Sequence, residues 1–401
     1  MFCFLLVGEG AIFAQHDVLT PPPAVSNPDS IMSSQKDVID IVNFILKRKT
    51  TYIPDSLKVK PGKLLFAILP GVGYTLVTGL TFVTSSNVSF YTGKPSTTNL
   101  SSVSSISEFS IFDHQILIPL ESNIWTKGNK FNLLGDWRYY RYPTYTYGLG
   151  GSSSLSKADL IDYSYVRVYQ EVLTKIHSNY YAGLGYNLDY HINIKEKGVG
   201  DFQTYNDNAT QTVSSGMLFH LLYDDRKNVN NPLQGSFGSI SYRPNLTYLG
   251  SDQNWQELLC EFRKYIKLSP NSDNVLAFWN LDWFTFGGKV PYFDLPSTGW
   301  DTYSNFGRGY IQGRLRGSNM LYLEGEYRFG ILRNGLIGGV VFANMQSVSE
   351  MQTTDFKTFL PGGGVGLRFK VNKFSDANFC VDYGMGLDGS GGLFFNVCEV
   401  F

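Results

Sequence analysis

The chain has 401 residues, 43% hydrophobic, 15% aromatic and only 17% charged, with a formal net charge of −1. That balance supplies neither a basic field for nucleic acid nor an acidic tail. No run of about 18 or more apolar residues occurs, which argues against a helical membrane span but not against a closed barrel, whose strands need only about 9–11 residues.

In chain order, "MFCFLLVGEGAIFAQ" reads as an export signal cleaved near Ala14–Gln15, so that residues 1–15 are removed. The missing basic leader and Glu9 point to a start further upstream. Residues 16–62 form a separate periplasmic zone: "LTPPPAVSNPDS" is a Pro/Ser linker. In "SSQKDVIDIVNFILKRK", Val38, Ile41, Val42, Ile45 and Leu46 recur at helical spacing behind a serine cap. One amphipathic helix over 35–48 is expected, packed on a neighbouring surface rather than lying in a membrane.

From residue 63 to 401 the period becomes two. In "GLGYNLDYHINIK", Leu184, Tyr186, Leu188, Tyr190, Ile192 and Ile194 share one face. Asn187, Asp189, His191 and Asn193 share the other. "NMLYLEGEYRF" sets Leu321, Leu323, Tyr327 and Phe329 against Tyr322, Glu324, Glu326 and Arg328. "GVGLRFKVN" sets Val365, Leu367, Phe369 and Val371 against Arg368 and Lys370. Short connections ("TKGN", "IHSN") alternate with long ones (143–159, 196–208, 289–318), and aromatics crowd strand ends, as in "WRYYRYPTYTYG". The expected fold is all-β, a transmembrane antiparallel β-barrel with apolar faces toward lipid, in preference to a soluble sandwich.

Strands are expected near 100–111, 114–125, 130–142, 160–176, 179–195, 209–224, 235–248, 254–268, 274–288, 319–329, 335–347, 362–372, 378–387 and 391–401. Two more, either side of an "LPGVG" turn in 63–92, bring the number to sixteen, the even count that leaves both chain ends on the periplasmic side. The 289–318 loop then lies outside, and "DDRKNVNNPLQG" (224–235) lies in the periplasm.

No catalytic residue is picked out. His191 beside Asp189 lacks an identifiable nucleophile, no metal-ligand spacing occurs, and "LPGGGVG" and "DGSGG" lead into no phosphate-binding helix. No enzyme activity, cofactor or metal is expected. A hairpin turning at Asp388–Ser390 would set Cys380 opposite Cys398. Two outcomes stay open: a cross-strand disulfide or, by default, free thiols.

"FGRGY" (306–310), followed by "YLEGEYRF", resembles the Arg-Gly-aromatic loop and next strand of the BamA/TamA superfamily of bacterial surface antigens. "DDRKNVNNPLQGSF" is similar to a periplasmic turn of that family. "GVGLRF…VDYGMG…GLFFNVCEVF" resembles its last three strands. The resemblance covers roughly 63–401 and implies a short form without periplasmic recruitment domains, in the outer membrane of a Gram-negative bacterium. Its expected partners are lipid and client outer-membrane proteins or periplasmic subunits.

The resemblance also implies that the loop folds into the lumen and that Arg308, with Gly309 and Tyr310, pairs with Glu326, which strand parity independently sets on the lumen face. It implies that Asn344 replaces an aspartate, leaving a weaker lock, and that Phe395, Val397 and Phe401 form the C-terminal signal read by barrel-assembly machinery. The implied role is assembly or translocation of envelope proteins. The rival is a passive channel or structural surface antigen that kept only the fold.

Overall fold

Alternating strands dominate the computed structural model, which describes residues 35–45 and 62–401 apart from 76–78, 111–114, 152, 197–201, 203–204, 206–207, 271, 302–304, 352 and 374–375. The expected export signal and the linker at 16–34 lie outside the described residues. Helix α1 (Val38–Ile45) is the central part of the expected 35–48 helix. It is tied to the strand ends by Lys373, which donates to Asp37 through its amide (3.1 Å) and to Asp40 through its ammonium (2.8 Å). Among the described residues no helix is long and apolar enough to cross a membrane.

The strands are β1 (Leu65–Thr75), β2 (Gly79–Phe90), β3 (Ser101–Ser110), β4 (Ile116–Trp125), β5 (Phe131–Arg141), β6 (Thr144–Thr146), β7 (Asp159–His177), β8 (Tyr180–Glu196) and β9 (Thr212–Asp224). They continue with β10 (Gly235–Asn245), β11 (Trp255–Lys267), β12 (Val275–Phe286), β13 (Asn319–Gly330), β14 (Ile337–Val348), β15 (Leu360–Asn372), β16 (Ala377–Met385) and β17 (Gly391–Val397). Successive strands pair antiparallel, except that β5 and the three-residue β6 both pair with β7. These two make one stave, so the seventeen strands among the described residues form the sixteen staves that parity requires. The turns after β4, β7, β11, β13 and β15, together with α1 and both ends of the sheet, lie at one rim, and the long loops 142–158 and 287–318 at the other.

Alternation assigns the faces as expected. Leu184, Leu323 and Val365 are 57–58% exposed on the outside, while Asp189, Glu324, Glu326, Arg328 and Arg368 are buried inside. The lumen is largely filled, by loop 287–318 and by the chain's last four residues.

Four expectations need correction. "LPGVG" is not a turn, because β1 runs through it, with Pro70 opposite Thr84, and the chain reverses after Thr75. Proline lacks an amide donor and is tolerated on a strand with one free side. Among the described residues no register pairs β1 with β17. Second, Ile194 faces inward (4% exposed), because the left-handed Asn193 (φ 57°) and a register shift between β7 and β8 invert the pattern there. Third, Cys380 and Cys398 do not sit opposite each other, and both are free thiols, the default of the two outcomes. The register sets Cys380 opposite Asn396, two residues from the expected pairing, and its Sγ contacts the Cys398 carbonyl at 2.9 Å. Fourth, the last strand stops at Val397. Cys398 is left-handed (φ 69°), and residues 398–401 turn into the lumen, leaving Phe401 only 1% exposed.

Val365→Arg, which places a charge on the outer band, is expected to cost about 2–4 kcal/mol in a denaturant titration in lipid vesicles. An unchanged midpoint would mean that this face does not meet lipid.

Candidate functional site

Loop 287–318 enters the barrel because its own residues supply what the inner wall lacks. At its tip Gly307 (φ 83°) and Gly309 (φ 101°) adopt left-handed backbone. A Cβ at Gly309 would also lie 2.7 Å from the Met385 carbonyl oxygen, so the tip approaches β16 closely only because glycine stands there. Between the two glycines, Arg308 is 1% exposed. Its guanidinium donates to Asp382 at 2.5 Å and also to Glu324 and Glu326, and it stacks 3.8 Å from the centre of the Phe342 ring.

Tyr310 completes the tip. Its hydroxyl donates to the Pro361 carbonyl (2.5 Å) and accepts from the Leu387 amide (3.0 Å), bridging the ends of β15 and β16.

The pairing extends into a closed circuit. Asp382 also binds Arg368 (2.5 Å), Arg368 binds Glu399 (2.7 Å), Glu399 lies 3.7 Å from Arg328, and Arg328 binds Glu326 (2.7 Å), which returns to Arg308. Six side chains of alternating sign thus join loop, wall and C-terminal tail. Glu324 hangs on Arg308 and accepts from the Tyr322 hydroxyl. The tail is held further by Arg328, which donates to the main-chain oxygen of Phe401 (2.9 Å), while the Phe401 ring lies 5.2 Å from Trp279.

Of the residues picked from the sequence, Arg308, Gly309, Tyr310, Glu326 and Asn344 converge here. Asn344 points inward, donating to the Arg308 carbonyl at 2.9 Å and to Glu324 at 3.4 Å. The lock expected to be weak for want of a second carboxylate has Asp382 and Glu324 instead. Sequence reading missed Asp382 and Glu399. Asp382 sits on the parity of Cys380 and Gly384, a signal that existed. Glu399 gave none, because it acts only after the chain has left the ladder. Phe395 faces outward (43% exposed), Val397 is half-buried, and Phe401 does not share their strand.

Nearer the outer rim the same loop is held by aromatic packing. Phe293 stacks on Tyr163 (4.1 Å between centres) and His191 (5.0 Å), and His191 stacks on Tyr165 (4.4 Å). Arg316 donates to the Tyr292 carbonyl at 2.9 Å. Asp294 accepts from the Ser214 hydroxyl (2.6 Å). Enclosure, and secondarily the Asp189 carboxylate, push its pKa up to about 8. At the short-turn rim, Asp224 and Arg226 form a fully buried pair (2.9 Å) within the 224–235 turn. Among the described residues no cluster fit to hold a metal occurs.

No family profile and no curated protein matches the sequence. Solved structures do. A crystallised BamA from Haemophilus ducreyi lacking POTRA domains 1–3 superposes with a TM-score of 0.56 at 16% identity, over 84% of this chain and 70% of that one. CdiB from Acinetobacter baumannii gives 0.54 at 13% identity, over 83% of this chain and 59% of that one, so this chain spans under two thirds of CdiB. The fold is therefore the BamA-type barrel.

Glu326→Gln is expected to loosen the loop, read as faster external proteolysis between residues 300 and 318. Arg308→Ala is expected to do so more strongly, because three buried carboxylates lose their shared cation, a loss of about 3–5 kcal/mol. Unchanged cleavage in both variants would show that the pairing does not hold the loop. Asp294 gives a separate test. Its docked pKa (about 8) exceeds the free value of about 4, so its contribution is full below pH ~4 and is lost as pH rises through about 8. Loop cleavage should be faster at pH 9 than at pH 6, and Asp294→Asn should remove that difference.

Proposed function

We propose that the chain is an outer-membrane β-barrel of the BamA/TamA type that takes part in the assembly or translocation of envelope proteins. The observation that carries this reading is the anchored loop tip, Arg308 held by Glu324, Glu326 and Asp382. A solvent-exposed loop arginine would need none of these, and a simple pore would gain nothing from a buried circuit reaching its own C-terminus. The likeness to BamA and CdiB barrels supports the same reading. On it, the apolar outer band meets lipid, clients or periplasmic subunits are the partners, and Arg308, Gly309, Tyr310, Glu326 and Asn344 lock the loop.

A second reading, a passive channel or surface antigen, is favoured by one feature. On the β3–β7 side a cavity of about 280 Å3 remains between the loop and the wall. Depletion in cells separates the two. The assembly reading expects a drop in specific outer-membrane proteins, and an unchanged envelope composition would remove it. The channel reading expects large, steady, ohmic openings in planar bilayers that Arg308→Ala leaves unaltered.

A further inference from the structure

We infer that this cavity is a binding site for a neutral carbohydrate. It lies in the outer half of the lumen, walled by β3, β4, β5 and β7 and roofed by the loop at Trp300 and Gln312. At about 280 Å3 it is some nine times the ~30 Å3 share of one water and near the small end of ordinary ligand sites, roughly 300–1,000 Å3.

One side is aromatic. Tyr142 meets Trp300 edge-on (6.2 Å between centres, 82°), and Tyr140 lies 6.3 Å from Tyr142. Such faces suit the C–H faces of sugar rings. The other side carries the polar groups that hydroxyls pair with. Glu121 is held only at 3.6 Å from Arg138, and Glu108 has no partner among the described residues. The Trp300 indole N–H is buried without an acceptor among the described residues. A buried donor left unpaired costs free energy, so a ligand that accepts from it gains by doing so.

Charge narrows the class. The two guanidinium groups at the site are already engaged: Arg138 with Asp136 (2.5 Å), and Arg167 with Asp136 and Asp189 (3.5 Å each). An anion would therefore find no free positive charge. An organic cation could lie over the rings beside Glu108, but Glu121 already faces Arg138 and the third lining carboxylate, Asp301, accepts from the Asn305 and Phe306 amides, so Glu108 alone is left to balance it. A neutral polyol pairs with both signs and repels neither. The site exists whether the barrel assembles proteins or conducts solutes, so this inference does not rest on either reading.

The test is calorimetry on the full-length barrel in a zwitterionic detergent that has no sugar headgroup. The titrants are maltose, lactose, N-acetylglucosamine, choline chloride and inorganic phosphate. Saturable heat is expected from at least one sugar, and none from choline or phosphate. Leu117→Trp, which fills the cavity from β4, should abolish it. Trp300→Phe, which keeps a ring but removes the N–H, should weaken it about three- to tenfold. Heat-modifiable gel migration checks that both variants fold. Silence from all three sugars overturns the inference, as does binding of choline or phosphate alone, or sugar heat unchanged in both variants.

Discussion

Buried charge organises this barrel. Arg308, Arg328 and Arg368 sit inside it with Glu324, Glu326, Asp382 and Glu399, all nearly inaccessible to water. Isolated charges in such a place would cost several kcal/mol each. They are tolerated because each guanidinium touches at least two carboxylates, and the one carboxylate in excess is compensated at Glu324 by hydrogen bonds from Tyr322 and Asn344. No member can be removed without exposing a neighbour. The circuit therefore ties together a loop, three strands and a tail that span residues 308 to 399, and it makes the loop's inward position a property of the whole.

A second ladder runs around the opposite wall, from Glu121 and Arg138 through Asp136, Arg167 and Asp189 to Arg243. It differs in one respect that matters: aromatic rings, rather than further charges, close it against the loop. Tyr165 and Tyr169 donate hydroxyls to Asp189, and Arg167 and Arg243 lie over the Tyr169 ring at 4.3 and 5.3 Å. The high tyrosine content thus serves both faces, outward at the rims and inward as donors that spare the lumen additional cations. Between β3, β4, β5 and β7 and the loop at Trp300 and Gln312 the wall and loop do not meet, and there the lumen stays open.

The staves and their inward faces were legible because a strand with one oily and one polar side writes its orientation every second residue. Glu326 on β13 and Arg368 on β15 could be placed in the lumen on parity alone. The stave count came from the same pattern, and the "LPGVG" error did not change it, since the hairpin merely reverses a few residues later. Which inward residues meet across the lumen was not legible. Arg308 reaches Asp382 over 74 positions, a distance set by the register of every stave between them and by the depth of the loop. Parity failed at Asn193, where one left-handed residue inverts the alternation from Ile194 onward.

The C-terminus shows which force wins when two local rules conflict. Continued alternation would carry "NVCEVF" along β16 with every second residue outward, and Glu399 would then lie on the face opposite Val400. The electrostatic demand of Arg368 and Arg328 is stronger than the few ladder bonds the extension would add, each net only about 0.5–1.5 kcal/mol. The chain accordingly turns at Cys398, delivers the Glu399 carboxylate to both guanidinium groups, and carries Phe401 in with it beside Tyr265 and Trp279. The short last strand and the filled lumen are two consequences of one neutralisation. The last strand, β17, is cut back by the same charges that hold the loop in place.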